Sequence, residues 1–147
     1  MAAAVRRLGG EPLDDAVRYW AAVRDQTHAF FAPFRAQLAA GSEVEQAPAL
    51  WRLSVRATAP SAGFGGQTMI EWGGALRWLV AADAQDAQHA RGWAAAHGGH
   101  ATLFRGTDKS AGVFHPLPPA LLALHQRLKA ALDPAGIFNP GRMYSDL

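Results

Sequence analysis

The chain contains no cysteine among its 147 residues. This absence excludes disulfide bonds, thiolate nucleophiles and iron–sulfur ligation by the chain itself. A cysteine-free protein is compatible with a reducing compartment, and we expect this one to act in the cytoplasm.

Long apolar runs are missing as well. No stretch approaches the roughly 20 apolar residues that a membrane helix needs. The first residues have no apolar stretch after Arg6 and Arg7, so they do not predict a signal peptide. We therefore expect no direct membrane insertion, and we expect any association with a membrane to run through partner proteins.

An excess of charge of one sign is also absent. The formal net charge is +2, and the sequence has no run of lysine and arginine of the kind that follows a phosphate backbone. This pattern excludes nucleic acid as an expected partner. The hydrophobic fraction is 50 %, which argues against disorder, and the length suits one globular domain.

The N-terminal segment divides into two parts. Residues 1–10 are small and basic and end in two glycines, so they are interpreted as a linker stub. A helix is predicted over about 12–26, opening near Pro12, because Leu13, Val17 and Trp20 recur with helical spacing.

Alternation of apolar and polar residues predicts the strands. It is seen over 51–55, 68–72 and 76–80, and a further short strand is predicted over 101–105. Most of the tryptophans on these apolar stripes, together with Trp20, are expected to lie in the core.

The pair Gly73-Gly74 stands between the second and third alternating runs. It predicts a tight two-residue hairpin, because such turns need positive φ angles. Ile70 and Trp72 are then expected to pack near Leu76 and Trp78.

Two more helices are predicted further along the chain. Asp83 is a good N-cap for a helix with an alanine face that stops at Gly98-Gly99. The last helix opens at Pro118-Pro119 and ends at Asp133-Pro134, because a residue before proline disfavours the α conformation. Its expected buried stripe consists of Leu121, Leu124, Leu128 and Leu132.

These elements predict an α+β domain over residues 11–134. Its sheet is mainly antiparallel, and its helices are expected on one face. Residues 135–147 form an extended C-terminal tail, with two X-Pro steps and two glycines from Asp133 to Arg142. Ordering such a segment costs conformational entropy. It therefore either docks onto another structure or simply packs on its own domain.

The tail carries a family resemblance. A helix that ends in Asp133-Pro134 and is followed by Asn139-Pro140-Gly141-Arg142 resembles the C-terminal signature of FAD-linked oxidases of the vanillyl-alcohol-oxidase type. Residues 50–54 (LWRLS), 70–79 (IEWGGALRWL) and 98–102 (GGHAT) resemble, in order and spacing, the smaller FAD-binding subunit of bacterial glycolate oxidases. The resemblance covers roughly residues 11–147.

The resemblance implies a two-domain subunit. An N-terminal domain holds most of the FAD, a ferredoxin-like cap closes over the flavin, and the C-terminal tail returns toward the flavin domain. This chain is similar only to the cap and tail, so the chain alone is expected to be inactive.

The resemblance also implies an activity and partners. The complete enzyme would oxidise glycolate, or a similar small 2-hydroxy acid, to the 2-oxo acid, with FAD taking the hydride equivalent. The implied partners are a sister flavin subunit and an iron–sulfur subunit of a glycolate oxidase complex.

Arginines are the candidate site residues, because a carboxylate substrate needs a cation. Arg105, Arg52 and Arg77 are the candidates for the substrate. Arg105 is also a candidate for the flavin, together with Asn139, Gly141 and Arg142, and no catalytic residue is identified.

Each arginine has an alternative interpretation. Arg52 and Arg77 could belong to the solvated face of the sheet. Arg105 and Arg142 could pair with a local carboxylate, such as that of Asp108, Asp133 or Asp146. If neither does, both arginines are expected to be exposed.

No metal site is expected. If the glycine pairs align, Phe104 and Arg105 stand where related 2-hydroxy-acid dehydrogenases have the Glu and His beside a metal. The pair His97 and His100 supplies too few ligands for zinc. The glycine-rich segment 63–66 is interpreted as a flexible turn rather than a phosphate loop.

One alternative from another functional class stays open. A ferredoxin-like domain can be a non-catalytic assembly or binding module. The feature that discriminates the two is the Asn139-Pro140-Gly141-Arg142 turn, which such a module does not need.

Overall fold

The structure, a computed structural model, describes residues 2–9, 11–40, 49–81, 83–110 and 112–147. The described helices are α1 (Ala2–Arg7), α2 (Ala16–Arg24), α3 (Ala32–Ala39), α4 (Ala84–Ala96) and α5 (Pro119–Leu132). The described strands are β1 (Ala49–Ser54), β2 (Gln67–Glu71), β3 (Leu76–Ala81) and β4 (His100–Gly106). Helix α1 lies within the predicted linker stub.

The four strands form one sheet in the order β2-β3-β1-β4, and every neighbouring pair is antiparallel. Strands β3 and β4 run in the same direction and are joined by α4. Strands β1 and β2 also share a direction, but the loop 55–66 joins them without a helix. The predicted α+β class and ferredoxin-like antiparallel sheet are confirmed.

Helix α4 covers one face of the sheet. The Asp83 side chain accepts a hydrogen bond from the backbone N–H of Asp86, as predicted for the N-cap. Ala90 and Ala94 are fully buried against the sheet, so α4 approaches it closely. The sheet contributes Trp51, Leu53, Val55, Leu79, Ala101 and Leu103 to this core.

The opposite face is covered in part by aromatic residues that precede the sheet in sequence. Phe31 and Phe34 are buried and contact Leu50, Trp78 and Val80. The rings of Phe31 and Trp78 meet edge to face, with centroids 5.6 Å apart. The sequence did not predict this second layer of the core.

The predicted start of the helix at Pro12 is wrong. Helix α2 begins at Ala16, because the Asp15 side chain accepts from the backbone N–H of Arg18 and acts as the N-cap. Trp20 is exposed rather than buried, as are Leu13 and Val17. The apolar stripe of α2 is therefore not the face that packs against the rest of the protein.

The predicted β2–β3 hairpin exists, but its tight two-residue turn is wrong. Glu71 pairs with Leu76, so residues 72–75 form a four-residue loop. Trp72 is 77 % exposed and Ile70 is also exposed, so neither lies in the expected core position. A residue outside the hairpin stabilises this loop, because the backbone N–H of Val55 donates to the Ala75 carbonyl.

The predicted bounds of the last helix are confirmed, but its buried stripe is wrong. Leu121, Leu124, Leu128 and Leu132 are between 40 % and 74 % exposed. Helix α5 lies outside both parts of the core, and no described element covers these leucines. The pattern correctly indicated an apolar face, but it could not indicate what covers that face.

The hairpin loop gives a prediction about two adjacent glycines. Gly73 has φ +61°, and no atom lies within 4 Å of the place that a Cβ would take, whereas a Cβ on Gly74, at φ +100°, would lie 2.5 Å from the Ala57 carbonyl oxygen. Gly73→Ala should lower the free energy of unfolding by about 1 kcal/mol through backbone strain alone. Gly74→Ala should lower it clearly more in urea denaturation, and equal losses for the two variants would contradict this loop geometry.

Candidate functional site

The C-terminal tail is attached to α5 through one carboxylate. Asp133 follows the last residue of α5 and is 7 % exposed. Its Oδ1 accepts from the backbone N–H of Ile137 at 3.0 Å, and its Oδ2 accepts from that of Phe138 at 2.9 Å. This arrangement explains why the chain reverses direction sharply after the Asp133-Pro134 step.

Lys129 completes this junction. Its Nζ lies 2.6 Å from Oδ2 of Asp133, one helical turn away, and it also donates to the carbonyl oxygen of Phe138. The ammonium group therefore bridges α5 and the tail. Neither residue was predicted as part of the site, although their i,i+4 spacing was a visible signal.

Beyond this junction, the tail folds around a small cavity. The turn is held by the N–H of Arg142 donating to Asn139 and by the N–H of Gly141 donating to Leu147. Asn139 adopts φ +48° and Gly141 φ +67°. The cavity of about 360 Å³ is lined by Lys129, Asn139, Arg142, Met143 and Leu147.

Arg142 is the exposed cation of this cavity. Within the described part of the chain, its guanidinium forms no hydrogen bond or ion pair, and so it does not pair with Asp133 or Asp146. Its exposure was predicted and is confirmed. The three predicted tail residues Asn139, Gly141 and Arg142 thus occur together in one turn.

The hydrogen bonds to Asp133 change its acidity. The Lys129 ammonium and then the N–H of Phe138 lower the pKa of Asp133 to about 2, with a smaller contribution from Ile137. Each of these donors favours the charged carboxylate. The Asp133 carboxylate therefore stays ionised throughout the physiological pH range.

This acidity gives a pH prediction. Because the folded-state pKa is lowered, the stabilisation of the tail is present above the ordinary aspartate pKa of about 3.9 and is lost as the pH falls through about 2. In an NMR acid titration, the amide resonances of Ile137 and Phe138 should move together with a midpoint near 2. Asp133→Asn should abolish that transition, and a midpoint near 4 would contradict the proposed bonding.

A second connection joins the tail to the sheet. The Tyr144 hydroxyl donates to the carbonyl oxygen of His115 at 3.0 Å, and the His115 Nδ1 accepts from the N–H of Ala101 in β4 at 3.4 Å. The N–H of Leu103 donates to Val113 in the same loop. The loop before α5 therefore lies along the outer edge of β4 and carries the tail contact.

His115 is suited to accept this hydrogen bond. Burial lowers the pKa of His115, and the nearby basic groups of His100 and Arg91 lower it further. A neutral imidazole can accept at Nδ1, whereas an imidazolium cannot. The contact between the loop and β4 is therefore favoured at neutral pH and weakened in acid.

Arg52 and Arg105 lie on the same face of the sheet. Arg52 pairs directly with Trp78, and Arg105 pairs with Leu50, which points to the face opposite α4. Residues that pair directly share a face of the sheet. Both arginines are exposed, and Arg105, like Arg142, has no ion-pair partner among the described residues.

An aromatic contact lies on the same face of the sheet. The Phe104 ring meets the ring of Trp78 edge to face at 4.9 Å, and Trp78 Nε1 donates to Glu71 Oε1 at 2.8 Å. Phe104 is exposed, so the contact forms part of the open surface of the sheet. A β-bulge next to Leu50 places Phe104 and Arg105 at this point of β4.

Arg77 does not join the other arginines. Its side chain is on the α4 face, where its guanidinium carbon lies 4.9 Å from the centre of the Trp93 ring. It donates to the carbonyl oxygens of Ala59, Pro60 and Gly74, and it is 5 % exposed. Arg77 thus holds the loop 55–66 against the hairpin, which leaves it no free donor face for a substrate.

The glycine-rich segment 63–66 does lie beside the N-terminus of α4, but a carboxylate is already there. The N–H of Gly65 donates to Oδ1 of Asp86 at 2.9 Å, and Asp86 is buried. A phosphate at this place would meet the negative charge of Asp86. The structure therefore offers no phosphate cradle at this segment.

The histidines do not assemble into a metal centre within the described ranges. No group of three or more His, Cys, Asp or Glu side chains there has ligand geometry. His97 Nδ1 lies 2.8 Å from the Trp93 carbonyl oxygen, and its ring lies against the ring of Trp93. Among the described helices, none has the length and apolarity to cross a membrane.

Comparison with known proteins adds two matches. Residues 105–143 match the family described as FAD linked oxidases, C-terminal domain. Over 147 residues the chain is 42 % identical to the glycolate oxidase subunit GlcE of Escherichia coli (strain K12), and the alignment covers 99 % of this chain. No solved structure matches.

The chain spans 36 % of the length of the E. coli protein. The family match contains Arg105 together with α5 and the Asn139–Arg142 turn, and the last two contribute residues to the cavity lining. The resemblance seen in the sequence is therefore confirmed: the chain is similar over its whole length to part of a glycolate oxidase subunit, and its residues 105–143 match the C-terminal domain of FAD linked oxidases.

Proposed function

We propose that this chain is the cap and tail of an FAD-dependent subunit that takes part in oxidising glycolate, or a similar 2-hydroxy acid, to the 2-oxo acid. The observation that carries the proposal is the 42 % identity over the chain to a glycolate oxidase subunit. The implied partners are a sister flavin subunit and an iron–sulfur subunit of the same complex.

The residues present fit part of a bound flavin. The tail turn offers the guanidinium of Arg142 and the amide of Asn139, and the sheet offers Arg105. The N–H groups of these side chains can donate hydrogen bonds to the oxygen and nitrogen atoms of the flavin ring or to a carboxylate. The pyrophosphate would be held by another part of the subunit, because Asp86 occupies the amide of Gly65.

The chain's own residues would bind and orient rather than react. FAD, when bound, supplies the acceptor for the hydride equivalent. Arg105 and Arg52, on the open face of the sheet, provide positive charge for the carboxylate of the substrate. Phe104, which packs on the buried Trp78, provides an apolar surface that excludes water next to that charge.

The exposed face of α5 supports docking onto the flavin-binding part of the subunit. Its four leucines are exposed in a row, and Ile137 and Phe138 of the tail are exposed beside them. An apolar surface of this kind on a globular protein usually marks a contact surface. We assign this contact to a part of the full-length subunit that lies outside the region matched by this chain.

A chimaera tests the proposed function. In it, this chain replaces the matching region of E. coli GlcE, and the chimaera is produced in a strain that lacks GlcE. We expect the purified complex to contain flavin and to oxidise glycolate. An assembled complex that contains flavin but does not oxidise glycolate would contradict the proposed activity.

Single arginine variants of the chimaera test the site. Arg105→Gln and Arg142→Gln should each lower turnover or flavin content by roughly tenfold or more, because each removes a charged hydrogen bond. Arg24→Gln is the control, since Arg24 pairs with Asp25 on an exposed helix end. Wild-type values for both test variants would remove these arginines from the site.

The leucine stripe gives a separate prediction. Leu124→Gln and Leu128→Gln should change the unfolding free energy of the 147-residue chain by less than about 0.5 kcal/mol, because both side chains are exposed. In the chimaera the same changes should reduce assembly or flavin retention. Val17→Gln, on the exposed side of α2, is the matched control, and an unaffected Leu124→Gln/Leu128→Gln chimaera would place the contact elsewhere.

A further inference from the structure

Two cations line the tail cavity, and their surroundings differ. Lys129 lies on the last turn of α5, and Arg142 lies on the tail turn. The Lys129 ammonium is committed to Asp133 and to the Phe138 carbonyl. The Arg142 guanidinium has no such partner in the described part of the chain.

We propose that Asp133 is a positioning residue for the ligand-facing side of the tail. Its carboxylate holds Lys129 back and fixes the backbone at Ile137 and Phe138, so that Arg142 is the one free cation that the described residues present to the cavity. This inference rests on the proposed function, since it assumes that the tail faces the flavin or the substrate.

The geometry supports both parts of this role. Asp133 binds the amides of two consecutive residues, and the next residue is Asn139, where the ligand-facing turn begins. Any displacement of Phe138 therefore moves Asn139 and, through its carbonyl, the N–H of Arg142. The position of the guanidinium depends in this way on a side chain nine residues earlier.

The charges indicate what the cavity accepts. Because the Asp133 carboxylate offsets the charge of Lys129, Arg142 is the side chain of the lining that offers a positive charge with no ion-pair partner among the described residues. That charge, in a planar group with paired donors, suits a singly charged delocalised anion. Two groups share this chemistry, namely the reduced flavin ring and the carboxylate of a 2-hydroxy acid.

The first test uses the 147-residue chain without flavin. Asp133→Asn keeps the size of the side chain but removes its charge, and it should speed amide hydrogen exchange at Ile137 and Phe138 by roughly tenfold. The amide of Leu53 in β1 should be unchanged, which shows that the sheet stays folded. Asp146→Asn is the matched control, because its carboxylate accepts from the neighbouring Ser145 hydroxyl on an exposed part of the tail.

The second test uses the chimaera with GlcE and identifies the anion. If Arg142 meets the reduced flavin, Arg142→Gln should lower the flavin reduction potential. If it meets the substrate, Arg142→Gln should raise KM for glycolate with little change in the potential. Asp133→Asn should change the same quantity, because it releases both the Arg142 turn and the Lys129 ammonium, whereas Asp146→Asn should leave it unchanged.

Lys129→Gln provides a second variant that leaves the Asp133 carboxylate in place. Its two amide bonds should persist, so exchange at Ile137 should rise less than in Asp133→Asn. Faster exchange in Asp133→Asn together with a wild-type chimaera would overturn the inference, because Asp133 would then only cap the helix. If Arg142→Gln also leaves potential and KM unchanged, the proposed role of the tail is overturned with it.

Discussion

The two inner strands of the described sheet, β1 and β3, have to be buried on both faces, and the rest of the fold follows from this constraint. Each pairs with a strand on both sides and is covered on both faces: Leu53 of β1 and Leu79 of β3 lie in the core under α4, whereas Leu50 and Val80 lie in the core with Phe31 and Phe34. A strand buried on both faces needs a layer on each side. Helix α4 supplies one layer, and the aromatic residues before β1 supply the other.

This constraint also decides which surfaces stay open. The aromatic layer covers Leu50 and Val80 but leaves Arg52 and Arg105 exposed on the same face. The α4 layer is complete enough to bury Arg77, whose guanidinium donates hydrogen bonds to three backbone carbonyls. An arginine under α4 is therefore buried, whereas the arginines beyond the edge of the aromatic layer remain open to a ligand.

Much of the sheet could be predicted from local patterns. Alternation around Trp51 and Leu53, the Asp83 N-cap and the Asp133-Pro134 helix end are each set by neighbouring residues, and each was found in the structure. The fate of Arg77 and of the α5 leucines could not be predicted, because it depends on contacts between segments far apart in sequence. Alternation identifies the two faces of a strand, but not which face a distant helix will cover.

The candidate site also contains some residues that the sequence indicated and others that it did not. The family resemblance pointed to Asn139, Gly141 and Arg142, and the structure places these residues in one turn around a cavity. It did not point to Asp133 and Lys129, whose importance lies in hydrogen bonds to the backbone of Ile137 and Phe138. Such bonds leave no periodic pattern in a sequence.

The weak attachment of α5 has a consequence for the order in which the protein becomes rigid. Sheet and α4 share a continuous apolar core, whereas α5 is linked to them chiefly through the loop along β4 and through the Tyr144 hydroxyl. A segment with so few buried contacts opens at a lower free energy than the core does. Helix α5 and the tail are thus able to fluctuate as a separate cooperative unit, and they can reach their final rigidity after the sheet has formed.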